Sequence, residues 1–454
     1  MLSPRERTVV LLTCCLSVVV AGLDTTIANV ALPSIRQALH APVSGLQWIV
    51  DAYVLVIACL LLFSGSVADR FGRRRVFQAG LGLFSLGSFL CGLAPTLGVL
   101  IAARALQAVG GAMLNPVAMS IIATTFGDPR DRARAVGTWG AVAGLGGACG
   151  PVLGGLLVSG FGWRSIFWVN VPIGIVAIVL TRKFVPESRA ARPRSFDPLG
   201  QLLVVTFLGP LTAAVIEGPR LGWGSPVIVA LFAVAAVSVP GLVVVERRRA
   251  EPLVDVRCFR SPAFSGAAVI AVAALLAVVG FLFLNTLYLQ EVRGFSALRA
   301  GLLTIPMAAA GAACATISGR IVAARGARLP LVLAGVLLTA GAGLLAGTGP
   351  DTGMGYLIGA YLVFGAGFGL VGTPMTNAAL AGMPRDQAGV AGAIASTCRQ
   401  TGGAIGVAVC GSLVASGAPS WVAWTVLAGC GVVTVLLGLV STGHWAREPT
   451  TATR

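Results

Sequence analysis

Residues 21–33 read AGLDTTIANVALP and close an apolar run that begins near Val9. A run of that length crosses a hydrocarbon core about 30 Å thick as a helix. Asp24 nevertheless stands inside it. A charge at the bilayer centre costs about 2.5–3.5 kcal/mol on insertion scales, so an acid kept there has a partner or a task. Outward from this stretch, similar runs recur along the whole chain. Fourteen candidate spans lie at about 9–31, 46–67, 77–95, 98–124, 136–158, 166–182, 198–216, 226–245, 263–288, 300–322, 330–347, 355–380, 388–415 and 420–441. Of 454 residues, 56% are hydrophobic and 11% charged. No water-facing domain needs that much apolar surface. The fold class is an all-α polytopic membrane protein.

A formal charge of +16 by itself suits a nucleic-acid binder. Its distribution argues against that partner. The basic residues cluster between apolar runs, in DRFGRRR, DPRDRAR, TRKFVPESRAARPRS and ERRRAEP. That is the pattern of cytoplasmic loops in membrane proteins, so the lipid bilayer is the expected surroundings. An even number of spans puts both termini on one side. With that side cytoplasmic, the inner segments hold about 25 Lys and Arg and the outer loops about 5. Lys183 is the one lysine among many arginines, a bias that suggests a bacterial genome and hence a bacterial cytoplasmic membrane. The first apolar run is too long for a cleaved signal and lacks a small-residue cleavage site. Ten cysteines form no CxxC pair, and His40 and His444 lie far from any cysteine grouping, so no metal site is expected.

The longest inner segments, 183–197 and 246–262, bracket two spans. The chain therefore divides into a six-helix bundle at 1–182, a linker with two extra helices at 183–262, and a second six-helix bundle at 263–454. A faint internal repeat supports two related halves. GSVADRFGRRRV at 65–76 aligns with SGRIVAARGARL at 318–329, pairing Gly65 with Gly319, Gly72 with Gly326 and Arg74 with Arg328. Asp69 falls on Ala323, so the second copy lacks the acid. Repeats of this kind build transporters with a site near the midplane.

The polar residues inside spans are the candidates for that site. Asp24, Asp51 and Arg104 each lie nine residues from a proline that marks a span's outer end, Pro33, Pro42 and Pro95. At 1.5 Å per residue this places all three roughly 10–14 Å below one boundary, where they are expected to share a polar chamber. The reading is a proton and substrate site, with a satisfied inter-helix contact as the alternative for each residue. Arg399 in STCRQTGGAIG reads as a paired residue, and Glu217 as an interfacial acid. Asn29, Asn115, Asn170, Asn285 and Asn377 either line a cavity or bond neighbouring helices. The stretch GAVAGLGGACGPVLGG at 140–155 lets helices approach closely, and its Gly–Pro step loosens the backbone ladder. The charges of GSVADRFGRRR suit a latch on the inner face, with a plain membrane anchor as the alternative.

LDTTIANVALP, WIVDAYVL, GSVADRFGRRR, RALQAVGGAM, GGACGPVLGG, WRSIFWVNVPIG at 163–174 and FDPLG at 196–200 occur in this order. Together they resemble the major facilitator superfamily and, within it, the fourteen-helix drug:proton antiporter family. The resemblance covers nearly the whole chain. It implies proton-driven export of lipophilic, often cationic, drugs or antibiotics by a protein acting as a monomer, and no enzymatic activity. It gives Asp24, Asp51 and Arg104 the coupling role. Gly65, Asp69, Arg70, Gly72, Arg73 and Arg74 become the conformational latch, and Gly146, Gly150, Pro151, Gly154 and Gly155 the antiporter helix. Asn29, Asn115 and Arg399 are further cavity candidates. No Asp or Glu lies deep in the C-terminal spans, which puts divalent-cation export in doubt. A metabolite exporter for one natural product is the alternative. An uptake symporter, an intramembrane enzyme and a receptor fit the motifs less well. No GxxxxGK[ST] loop occurs, so no nucleotide cofactor is expected. The proton gradient is the energy source, worth about 2.3 kcal/mol per charge per 100 mV.

Overall fold

The computed structural model describes residues 3–190, 196–249, 252–380 and 388–441. Each predicted span is a helix: α1 Pro4–Leu39, α2 Val43–Phe71, α3 Arg73–Leu93, α4 Leu97–Thr125, α5 Pro129–Phe161, α6 Ser165–Phe184, α7 Pro198–Leu221, α8 Pro226–Arg248, α9 Pro262–Val292, α10 Ala297–Arg325, α11 Arg328–Ala346, α12 Met354–Leu380, α13 Ala388–Ala415 and α14 Ser420–Val440. No strand occurs among the described residues. The helices overrun the predicted limits because apolarity marks only the hydrocarbon crossing, whereas capping decides where a helix stops. Ser3 and Glu6 form a reciprocal capping box at the start of α1. Asp128 accepts from the backbone N–H of Arg130 and Asp131, and Pro129 opens α5. Ser225 and Ser261 cap α8 and α9 in the same way. Three helices deviate internally: α6 is interrupted at Val169, α9 ends in a wide turn over Tyr288–Val292, and α10 breaks at Thr304.

Two compact units emerge. One holds α1 to α6 together with Leu289–Leu302; the other holds α7, α8, α9 up to Tyr288, and the chain from Leu303 onward. Inside the first, α1 packs on α5, α2 on α4, α3 on α4 and α3 on α6. Inside the second, α9 packs on α13, α10 on α12, α11 on α12 and α11 on α14. The pairings repeat at an offset of eight helices, which is what two related six-helix halves with α7 and α8 inserted require. Those two pack on each other, and α7 touches α13.

The repeated loop agrees. Gly72 separates α2 from α3 at φ +107°, and Gly326 ends α10 at φ +79° before α11. Both positions take a backbone conformation that L side chains rarely adopt, so the aligned glycines have one physical cause. At the Gly–Pro step of α5, Pro151 has no N–H to give the Gly147 carbonyl four residues back, and that carbonyl accepts from Thr26 Oγ1 of α1 instead. The helix runs unbroken from Pro129 to Phe161 with Pro151 inside it.

Candidate functional site

Asp24 is fully buried in α1, and Arg104 of α4 is 1% exposed. Arg104 Nη1 donates to Asp24 Oδ2 at 2.5 Å and to Gln107 Oε1 at 2.7 Å. Its Nε donates to the Ile49 carbonyl at 3.1 Å, and its guanidinium lies over the Tyr53 ring at 4.2 Å and the Phe167 ring at 5.7 Å. Gln107 Nε2 donates to Asp24 Oδ1 at 2.7 Å and to Ser88 Oγ at 2.6 Å. Asn170 Nδ2 donates to the same two oxygens at 3.1 and 3.3 Å.

Helical periodicity assembles this set. Ile49 and Tyr53 stand four apart on α2; Arg104 and Gln107 stand three apart on α4; Phe167 and Asn170 stand three apart on α6. Each pair therefore occupies one face of its helix. Small residues admit the large ones: a Cβ on Gly87 of α3 would run into the Gln107 backbone at 2.5 Å. A buried ion pair gains little net stability, because desolvation offsets its Coulomb attraction. Here the Gln107 and Asn170 amides donate to Asp24, while Gln107 Oε1 and the Ile49 carbonyl accept from Arg104, completing the shells of both ions.

Asp51 does not join them. It is fully buried on α2, and neither of its carboxylate oxygens has a hydrogen-bond partner among the described residues. Two residues from Ile49 and two from Tyr53, it sits on the other side of its helix from the face that meets Arg104. The expected chamber of three charges is therefore one closed ion pair plus one separate, solitary acid. Asn29 Nδ2 donates to the Thr25 carbonyl at 3.2 Å, and Asn29 Oδ1 and Asn115 Oδ1 are buried without hydrogen-bond partners among the described residues. Asn170 and Asn285 bond across helices, Asn285 accepting from the Tyr361 hydroxyl. Arg399 is exposed and reaches Ser396 Oγ at 3.4 Å. Glu217 pairs with Arg220 at 2.7 Å.

The glycine face of α5 packs on α1 next to Asp24. A Cβ on Gly146 would meet the Val19 carbonyl at 3.1 Å, one on Gly150 the Thr26 hydroxyl, and one on Gly154 the Ile27 side chain at 2.8 Å. Thr26 Oγ1 donates across to the Gly147 carbonyl at 3.1 Å. Gly155 approaches the Ala297 carbonyl, and Pro151 lies buried beside it in α5. Gly402 and Gly406 of α13 press in the same manner on Val272 and Leu276 of α9. Close approach is thus common to both halves, whereas the proline and the Thr26 bridge mark the α1–α5 pair.

At the other end of α2, Asp69 pairs with Arg73 at 3.0 Å across Gly72. The segment after α6 closes over this turn. Arg73 N–H donates to the Ser188 carbonyl at 2.9 Å, and Ala190 N–H to the Asp69 carbonyl at 3.2 Å. Glu187 accepts from the Arg74 backbone at 3.1 Å and lies 3.6 Å from Arg75. Arg70 stacks on the Phe196 ring at 5.0 Å. A Cβ on Gly72 would strike the Glu187 carboxylate, whereas Gly65 has open space.

Sequence reasoning missed Ser88, Gln107 and Tyr53 as partners of the ion pair, and Glu187 as a second acid of the latch. Gln107 was findable three residues after Arg104 in RALQ; Glu187 stands in a basic linker, where no pattern marks it.

The sequence matches a family model described as Major Facilitator Superfamily over residues 14–407. It is 39% identical over 394 residues to the multidrug resistance protein Stp of Mycobacterium tuberculosis (strain CDC 1551 / Oshkosh), covering 87% of this chain and 73% of that protein. Against the tetracenomycin C resistance and export protein of Streptomyces glaucescens it is 34% identical over 407 residues, covering 89% and 76%. Among solved structures, a bacterial homolog of the human lysosomal transporter Spinster shares the fold with a TM-score of 0.64 at 20% identity, over 97% of this chain and 96% of that one. A match along most of the sequence and a shared helical architecture lead to one conclusion: this multi-pass membrane protein, a transporter and not an enzyme, belongs to the major facilitator superfamily.

Proposed function

We propose that this transporter is a proton-coupled antiporter of the fourteen-helix drug:proton branch, exporting lipophilic and mainly cationic drugs or antibiotics across a bacterial cytoplasmic membrane. The observation that carries this reading is the Asp24–Arg104 pair, desolvated inside an apolar bundle and ringed by hydrogen-bond donors. A proton arriving at Asp24 removes the negative partner of Arg104 without stranding the guanidinium, which keeps Gln107 Oε1, the Ile49 carbonyl and the Tyr53 ring. The arrangement suits a site that holds two charge states, as alternating access demands.

Asp51 complements it. A buried carboxylate with no hydrogen-bond partner among the described residues has either a proton or a cation to gain, which favours cationic cargo. The names of the relatives support drug export, and the glycine face of α5 supports a moving α1–α5 contact. In this reading the protein works as a monomer with both termini cytoplasmic. Its halves are residues 1–182 and 263–454, with 183–262 as the inserted linker; no cofactor or metal takes part.

A second reading is export of one specific natural product, favoured by the likeness to the tetracenomycin C resistance and export protein. Uptake by inverted membrane vesicles, measured over a panel of dyes and antibiotics with and without a protonophore, tests both. Protonophore-sensitive uptake of several unrelated cations supports the first; uptake of one scaffold alone supports the second; no protonophore-sensitive uptake contradicts both.

A further inference from the structure

The WRSIFWVN stretch of α6 ends on Asn170, and the function above leaves it without a task. Its anchoring is thorough. Arg164 donates to the Ala94 carbonyl at 3.2 Å, and Ser165 Oγ to the carbonyls of Leu157 and Gly162 at 3.0 and 2.7 Å. Trp163 meets Phe167 edge to face, and Phe167 lies by Arg104. The helix is interrupted at Val169, one residue before Asn170 turns its amide to Asp24.

The hydrogen-bond inventory around Asp24 is one-sided. Oδ2 faces Arg104 Nη1, and Oδ1 faces the amide nitrogens of Gln107 and Asn170. Every neighbour is a donor, which suits a carboxylate. A protonated Asp24 carries an O–H of its own and needs an acceptor, and a buried O–H without one costs about 1–3 kcal/mol. Ser88 Oγ already accepts from both amides. Gln107 is locked: its Oε1 accepts from Arg104 Nη1 at 2.7 Å, so reversing its amide would set two donors against each other. Asn170 differs. Its Oδ1 is buried and accepts no hydrogen bond among the described residues. Reversal of this amide gives up only donations at 3.1 and 3.3 Å and moves an idle acceptor onto Asp24 Oδ1.

We propose that Asn170 is a positioning residue that toggles with the charge of Asp24, donating through Nδ2 to the carboxylate and accepting through Oδ1 from the carboxylic acid. The proposal rests on Asp24 being the proton carrier. A hydronium ion gives its proton to Asp24 Oδ1 and leaves as water, the carboxylate charge is neutralised, and the Asn170 amide reverses; return of the proton to water restores both. The other charged or titratable groups that face Asp24 are Arg104 from α4, Tyr53 from α2 and Cys91 from α3. Arg104 has no acceptor atom, and Cys91 Sγ points at Gln107 Oε1; the Tyr53 hydroxyl is a second buried atom without a hydrogen-bond partner among the described residues, but only Asn170 already bonds to an Asp24 oxygen.

The test is infrared difference spectroscopy between high and low pH on the full-length protein in lipid, with asparagine side-chain carbonyls isotope-labelled, for wild type, Asp24→Asn, Asn170→Ala and Asn170→Leu. In the wild type a carboxylic-acid band that is absent from Asp24→Asn arises together with a labelled amide band moving to lower frequency, as its oxygen gains a hydrogen bond. The amide shift is absent from Asp24→Asn and from either Asn170 variant, where the acid band moves to higher frequency. Proton-driven turnover in those two variants falls roughly tenfold, the scale of one buried hydrogen bond to a charged group, with substrate KM unchanged. An acid band with no amide shift overturns the toggle and leaves the proton role standing. No acid band assigned to Asp24 at any pH overturns the proton role itself. Should neither Asn170 variant fold, the comparison of wild type with Asp24→Asn decides the toggle.

Discussion

At the scale of single residues, the two acids differ in their surroundings. Asp24 has a cation and two amide donors, and Asp51 has no hydrogen-bond partner among the described residues. Asp24→Asn keeps the shape of the side chain and leaves Arg104 its other contacts. It should therefore insert at the wild-type level while proton-driven export falls by roughly a hundredfold or more, the scale of losing a proton-transfer group. Membrane abundance by immunoblot and efflux from the same cells check it, and normal proton-dependent efflux contradicts it. Arg104→Ala is the harsher change. It leaves the Asp24 charge buried with only amides around it, an expected stability loss of about 3–5 kcal/mol, seen as a lowered melting temperature in detergent. Asp51→Asn should cut transport of cations roughly tenfold more than that of neutral compounds of similar size, about the worth of one weak ion pair in a polar cavity. Equal losses would make Asp51 structural.

The helix pairs have their own predictions. On α5, Gly150 has no room for a Cβ because Thr26 fills the space, while Gly140 and Gly144 face open space. Gly150→Val should destabilise the α1–α5 contact by about 1–3 kcal/mol, whereas Gly140→Ala should stay within about 0.5 kcal/mol of wild type. Thermal unfolding of the purified variants separates them, and a tolerant Gly150 would refute the close contact. Gly72→Ala pays twice, in a backbone unsuited to L residues and in a collision with Glu187, whereas Gly65→Ala meets nothing. The pattern of small residues announced the tight face of α5 in advance, since small side chains let helix backbones approach closely in a membrane. Its partner was not legible, because helices adjacent in space need not be adjacent in sequence. The same limit hid the site: depth along a helix follows from counting residues, but the face on which Asp51 turns away from Arg104 depends on how α2 packs against α4.

For the whole molecule, the succession of membrane-crossing helices was legible, because bilayer thickness fixes helix length. The repeat of helix pairings at an offset of eight strengthens what the Gly72 and Gly326 alignment only hinted. The orientation proposed from the arginine clusters has a direct check. Alkaline phosphatase fused after Trp223, in the turn between α7 and α8, should be active, and fused after Arg248 inactive; the reverse pattern would invert the topology. The central claim, that Asp24 exchanges protons for cargo, is tested most directly by purified protein in liposomes containing a pH-sensitive dye. With a cationic substrate supplied on one side, the account predicts proton movement in the opposite direction, abolished in Asp24→Asn and absent without substrate. Substrate transport with no accompanying proton flux, or equal flux in the Asp24→Asn protein, would contradict it.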